Sequence, residues 1–173
     1  MGKRNKSLQM VILAAIILLG GFAIGSALFA NDSVPVVGSK VPNIKLQQLN
    51  GDVQELADLK GEAIVLNFWG TWCEPCTREM PAFQRAHEEW KDKGVSIIAV
   101  NNGEDPITVN NYVNAMNITF PIWLDSKKSA AKAYGIRPLP TTFFIKPDGT
   151  VHNIILGEVE ESVLQTQIKE ITS

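Results

Sequence analysis

The chain has 173 residues, 45% of them apolar and 20% charged, with a formal net charge of −2. That length and apolar share fit one domain plus an extra segment. No clustered basic face of the kind used on nucleic acid stands out, and the mild acidity reads as a solvated surface.

The first 30 residues carry Lys3, Arg4 and Lys6 and no acid; the remainder holds 13 basic and 18 acidic side chains, net −5. No charged residue occurs between Lys6 and Asp32. The apolar run from Leu8 to Ala30 is long enough for a bilayer-spanning helix of ~20 residues. Positive charge lies only on its N-terminal side, which predicts a cytoplasmic tail over 1–7, a transmembrane signal-anchor over 8–30, and the rest of the chain outside the cell membrane. A cleaved signal peptide is the competing reading, with Gly25-Ser26-Ala27 as a weak cleavage site. The run exceeds the ~7–15 residues of a signal core, which favours the anchor.

Residues 31–42 have no periodicity and two prolines, and read as a linker; the domain proper is expected over 43–173. Asn50-Gly51 between the alternating runs Ile44–Leu49 and Asp52–Leu56 predicts an N-terminal β-hairpin. Ala63–Trp69 reads as a buried strand. Helical spacing follows from Thr77 to Lys93, with Met80, Phe83, Ala86 or His87, and Trp90 on one face and Pro81 expected to kink it or begin a second half. Val95–Asn101 reads as a second buried strand. Asp105-Pro106 opens another helix, with Val109, Tyr112, Val113 and Met116 on its apolar face. Phe120–Leu124 is a short apolar run, 126–134 a short helix stopped by Gly135, and Thr141–Ile145 a strand. A turn over Pro147–Thr150 leads to a hairpin partner at Val151–Leu156. The closing helix, 158–171, places Val163, Leu164, Ile168 and Ile171 together. This order predicts an α/β fold with a mixed sheet and helices on both faces.

The two cysteines lie in Trp69-Gly70-Thr71-Trp72-Cys73-Glu74-Pro75-Cys76. The spacing puts both sulfurs on the first turn of a helix that leaves a buried strand. Cys73, at the helix N-terminus, is the expected exposed nucleophile, since free N–H groups and the dipole favour its thiolate. Cys76, one turn in, resolves the mixed disulfide. A carboxylate on Glu74 would oppose the thiolate and favour a reductant. A zinc site needs four ligands, and only His87 and His152 are on offer, far apart in the sequence. Glu79 lies three residues past Cys76, on the same helix face, where a carboxyl can shift thiol pKa values and move protons; an exposed helix glutamate is the alternative. Trp69 reads as core. Trp72 reads as part of the surface shown to substrate.

With Leu139-Pro140-Thr141-Thr142 downstream, these motifs resemble the thioredoxin superfamily, and more narrowly its membrane-anchored TlpA and ResA branch, over roughly Pro42 to Thr172. The resemblance implies a thioredoxin-like fold and a thiol–disulfide oxidoreductase with no cofactor beyond the Cys73–Cys76 pair. It implies an extracytoplasmic reductant of apocytochrome c cysteines before haem attachment, itself recharged by a CcdA-type membrane thiol carrier. It makes Pro140 a cis-proline of the loop that faces the dithiol, with Thr141 flanking the groove, and gives Glu79 the place of the family's acidic residue. Trp72, Glu74, Pro75, Pro140 and Thr141 are then the expected substrate contacts. A disulfide-forming oxidase, a reductase for another extracytoplasmic target, a peroxide-reducing enzyme and a non-redox binding module are the alternatives. The Trp-Cys-Glu-Pro-Cys setting speaks against the peroxidase, and the intact dithiol against the binding module.

Overall fold

A computed structural model describes residues 10–18, 20 and 34–173. Residues 10–18 are helical and exposed. Among the described residues no helix is long and apolar enough to cross a membrane. More than half of the expected anchor over 8–30, and all of 1–7, lie outside the described residues.

Residues Val34–Ser173 form one compact unit. It contains strands β1 (Lys45–Gln48), β2 (Val53–Glu55), β3 (Ala63–Trp69), β4 (Val95–Asn101), β5 (Ile122–Leu124), β6 (Thr141–Ile145) and β7 (Val151–Leu156), and helices α1 (Glu74–Trp90), α2 (Pro106–Ala115), α3 (Ser129–Ala133) and α4 (Glu161–Thr172). A 3₁₀ turn covers Leu56–Leu59. The seven strands form one sheet in the order β2-β1-β5-β4-β3-β6-β7. β3 pairs in parallel with β4 and antiparallel with β6. The short run before α3 is thus a true strand, β5, and through it the N-terminal hairpin extends the sheet.

Period-two alternation along β3 divides the core. Ala63, Val65 and Trp69 face α1, α2 and α4, where Met80, Phe83, Val109, Leu164 and Ile168 are buried. Ile64, Leu66 and Phe68 face α3 and the 3₁₀ turn, packing on Leu56, Tyr134 and Phe143. The full burial of β3 explains why its bounds follow directly from an apolar run.

α1 begins at Glu74 with Cys73 as its N-cap, the place that the dithiol spacing gives it; Pro75 fits the first turn, where an N–H has no intrahelical acceptor. Other expectations need correction. Pro81 begins no second helix and sits inside the one that runs from Glu74 to Trp90. Val163 is exposed, and only Leu164, Ile168 and Ile171 carry the buried face of α4; Met116, just past the end of α2, is likewise exposed. The stretch over 31–42 is not a free linker from Val34 on. Gly38 N–H donates to Val151 O at 2.8 Å, Val151 N–H to Ser39 O at 2.9 Å, and Val41 N–H to Gly149 O at 3.1 Å. The Tyr134 hydroxyl donates to Pro42 O at 2.8 Å. Gly135 (φ +63°) has no room for a Cβ, which would lie 2.6 Å from Val34 Cγ1.

Candidate active site

Cys73 and Cys76 are joined in a disulfide, with Cα atoms 5.2 Å apart. Cys73 is the N-cap of α1, in extended backbone conformation, and its carbonyl accepts from Thr77 N–H at 3.0 Å. The first-turn N–H groups of a 17-residue helix therefore gather beside it, where they favour a thiolate once the disulfide opens. The expectation of an exposed Cys73 does not hold in this oxidised state: Cys73 is 6% exposed and Cys76 fully buried.

The loop before Cys73 is clamped from β4. Glu104 Oε2 accepts from the Thr71 backbone N–H at 2.7 Å and from Asn101 Nδ2 at 2.7 Å, while Glu104 Oε1 accepts from the Thr71 hydroxyl at 2.5 Å. Asn101 Oδ1 in turn accepts from Glu104 N–H at 3.1 Å. Trp72 stands 66% exposed beside the disulfide. Its indole nitrogen lies 2.8 Å from where a Cβ on Gly70 would be, so a side chain at Gly70 would force the indole to move.

Glu74 has an ionic partner of its own. Its side chain is exposed and pairs with Arg78 Nη1 at 2.7 Å, and Arg78 also bonds Glu158 at 2.8 Å. A solvated carboxylate already matched by a guanidinium has little field left to oppose a thiolate. Pro75, in the same turn, is half-buried.

Glu79 is buried, which disposes of the exposed-helix alternative. It lies on the inward face of α1 with Cys76 and Met80. Glu79 Oε1 accepts from Asn67 Nδ2 at 2.7 Å, and Oε2 accepts from Val159 N–H at 2.8 Å. Desolvation pushes its carboxyl up to about 7, against the opposing pull of these two donors; the nearby Glu158 charge adds to the rise. A carboxyl that titrates near neutrality, one helical turn from the resolving sulfur, can take or give a proton during exchange.

The Leu139-Pro140 bond is cis. Thr141 opens β6 opposite Phe68, so this loop lies at the end of the sheet where β3 releases the chain to the dithiol. Pro140 is buried and its carbonyl accepts from Gly157 N–H at 2.8 Å. Thr141 is buried too, and its hydroxyl donates to Pro138 O at 2.9 Å, so it shapes the loop rather than offering a polar group to a groove. Among the described residues no three His, Cys, Asp or Glu side chains gather as metal ligands. His87 is half-buried against Phe120, and burial lowers its pKa; His152 bonds Glu170 at 3.0 Å.

The structure therefore gathers Cys73, Cys76, Glu79 and Trp72 around the start of α1 and the cis-proline loop. It adds Asn67, Thr142, Asn101 and Glu104, none of which belongs to a motif. One signal was available for the first: Asn67 is the single polar residue in an otherwise apolar strand.

A family model described as AhpC/TSA matches residues 37–154. The chain belongs to this family. ResA of Bacillus subtilis, a thiol–disulfide oxidoreductase, is 41% identical over 162 residues, covering 94% of this chain and 90% of its own length. A thiol:disulfide interchange protein of DsbE type from Chlorobium tepidum superposes with a TM-score of 0.76 at 27% identity, over 80% of this chain and 99% of that one. StoA from Bacillus subtilis superposes at 0.65 with 28% identity, over 73% and 96%. Within the AhpC/TSA family, this member is a thiol–disulfide oxidoreductase of thioredoxin-like fold whose redox pair is Cys73–Cys76.

Proposed function

We propose that the protein is a reductant of protein disulfides, anchored to the cell membrane by residues 8–30 with its catalytic domain on the extracytoplasmic side. Its target is the haem-binding cysteine pair of apocytochrome c, and a CcdA-type membrane thiol carrier returns electrons to it. The observation that carries the reading is the Glu79 carboxyl, buried one turn behind Cys76 and poised near neutral pH.

In the reduced protein Cys73 is the thiolate and Cys76 the thiol. Cys73 Sγ attacks one sulfur of the target disulfide, forming a mixed disulfide and releasing one target thiolate. Glu79 then accepts the proton of Cys76. The Cys76 thiolate attacks Cys73 Sγ, closing the internal disulfide and releasing the second target thiolate. Two electrons pass to the target, and the proton held by Glu79 leaves with it. Trp72 offers apolar area beside the reacting sulfur. The N-terminal run supports the location: it is apolar from Leu8 to Ala30 apart from Gln9 and Ser26, with cations only before it.

The reduction potential tests the direction. A reductase lies toward the thioredoxin end, near about −270 mV; a value near about −120 mV identifies an oxidase instead. A Cys76→Ser variant leaves the mixed disulfide unresolved. Apocytochrome c captured through Cys73 supports the target assignment, and capture of other extracytoplasmic proteins without it overturns that assignment.

A further inference from the structure

Asn67 lies at the centre of β3, fully buried, on the face that meets α1. Its Nδ2 donates to Glu79 Oε1 at 2.7 Å and to Thr142 Oγ1 at 3.0 Å, and Thr142 is its partner across the β3–β6 ladder. Its Oδ1 is buried and has no hydrogen-bond partner among the described residues. A buried, unpaired carbonyl costs stability that a valine or leucine in the same strand would not. The position therefore keeps an amide at a cost, and the amide's only bonds are to Glu79 and to the hydroxyl that fixes its own orientation.

We propose that Asn67, held by Thr142, is the positioning residue that sets the protonation state of the Glu79 carboxyl. The chemistry of the amide suits that task. In the observed orientation both Nδ2 hydrogens point at acceptors, and the one toward Glu79 favours the carboxylate. Turned by 180°, Oδ1 would accept from a protonated Glu79 and from the Thr142 hydroxyl. An amide and a hydroxyl can each donate or accept, so the pair satisfies the carboxyl in either state. No charged group replaces it. From the loop before α4 only Glu158 faces the carboxyl, and it disfavours ionisation; its own partner, Arg78, is directed outward. The backbone N–H of Val159 is the one other donor.

This inference rests on the reading of Glu79 as the proton-handling group, and its test is separable from that reading. The full chain, labelled with ¹³C at glutamate side-chain carboxyls, is titrated in its oxidised form, where neither sulfur ionises. The Glu79 resonance is assigned by its loss in Glu79→Gln. In Asn67→Leu the titration midpoint of Glu79 moves up by about one pH unit or more, as expected when a donor to the carboxylate is removed. Thr142→Val, nearly isosteric, moves it in the same direction, and Thr142→Ser returns it to the parent value. A midpoint unchanged in Asn67→Leu overturns the proposal. Should that variant fail to fold, a midpoint unchanged in Thr142→Val overturns it instead. A midpoint that moves while the pH profile of disulfide exchange stays fixed upholds the role of Asn67 and overturns the role of Glu79 in proton transfer.

Discussion

Glu79 on α1 accepts a hydrogen bond from the backbone N–H of Val159, 80 residues away, at 2.8 Å. The bond fixes the chain just before α4 to the helix that carries the dithiol. It also means that the charge state of one carboxyl is written into the packing between two helices.

The pH dependence of stability follows from that carboxyl. Its folded pKa is raised from 4.5 to about 7, chiefly by desolvation, so the folded protein holds the proton more tightly than the unfolded chain. Its contribution to stability is complete below about pH 4.5 and is lost as pH rises through about 7. On this basis the oxidised protein loses on the order of 3 kcal/mol between pH 4.5 and 8 from this group. Glu79→Gln removes that slope. Denaturant melts across the range check it, and an unchanged slope in the variant refutes the assignment.

Cys73→Ala abolishes disulfide reduction, because no other nucleophile stands at the N-cap of α1. Cys76→Ser retains the first attack and accumulates mixed disulfide instead of releasing product. Turnover assays with gel analysis under non-reducing conditions separate the two. Full activity in Cys73→Ala sinks the mechanism.

Glu104 governs the loop rather than the sulfurs. Glu104→Ala leaves the Thr71 N–H, the Thr71 hydroxyl and Asn101 Nδ2 without their acceptor. A loss of about 1–3 kcal/mol is expected for donors stranded in this way. Exchange slows as well, since the residues leading to Cys73 lose their fixed path. In a double-mutant cycle Thr71→Val and Glu104→Ala are strongly non-additive; simple additivity shows that the clamp is not a unit.

Tyr134→Phe removes the hydroxyl that bonds Pro42 O. About 1 kcal/mol is expected, concentrated in the segment 34–42. Hydrogen exchange at Gly38 and Val41 reads it locally: their amides, bonded to Val151 and Gly149, lose protection in the variant while those of β3 do not.

Much of this architecture is legible in the sequence because burial leaves a mark. Ala63–Trp69 and Val95–Asn101 are central strands buried almost throughout, so their apolar runs coincide with their bounds. The hairpin declared itself through Asn50-Gly51, and Gly51 does adopt positive φ, at 97°. The dithiol was legible as a motif, and the cis bond at Pro140 only through the family resemblance. The polar frame of the site was not. Thr71 meets Glu104 across 33 residues, Asn67 meets Thr142 across 75, and Glu79 meets Val159 across 80. A hydrogen bond has no period, so such pairs leave no pattern along the chain. The Glu74–Arg78 pair is the exception: the two lie four residues apart on one helix, a spacing that the sequence itself displays.

The oxidised site hides its own reactive atoms. Cys73 shows 6% of its surface and Cys76 none. A small free thiol arriving at random finds almost no target area, however strong its reducing power. Opening the disulfide therefore first requires its surroundings to move aside, whatever the strength of the donor.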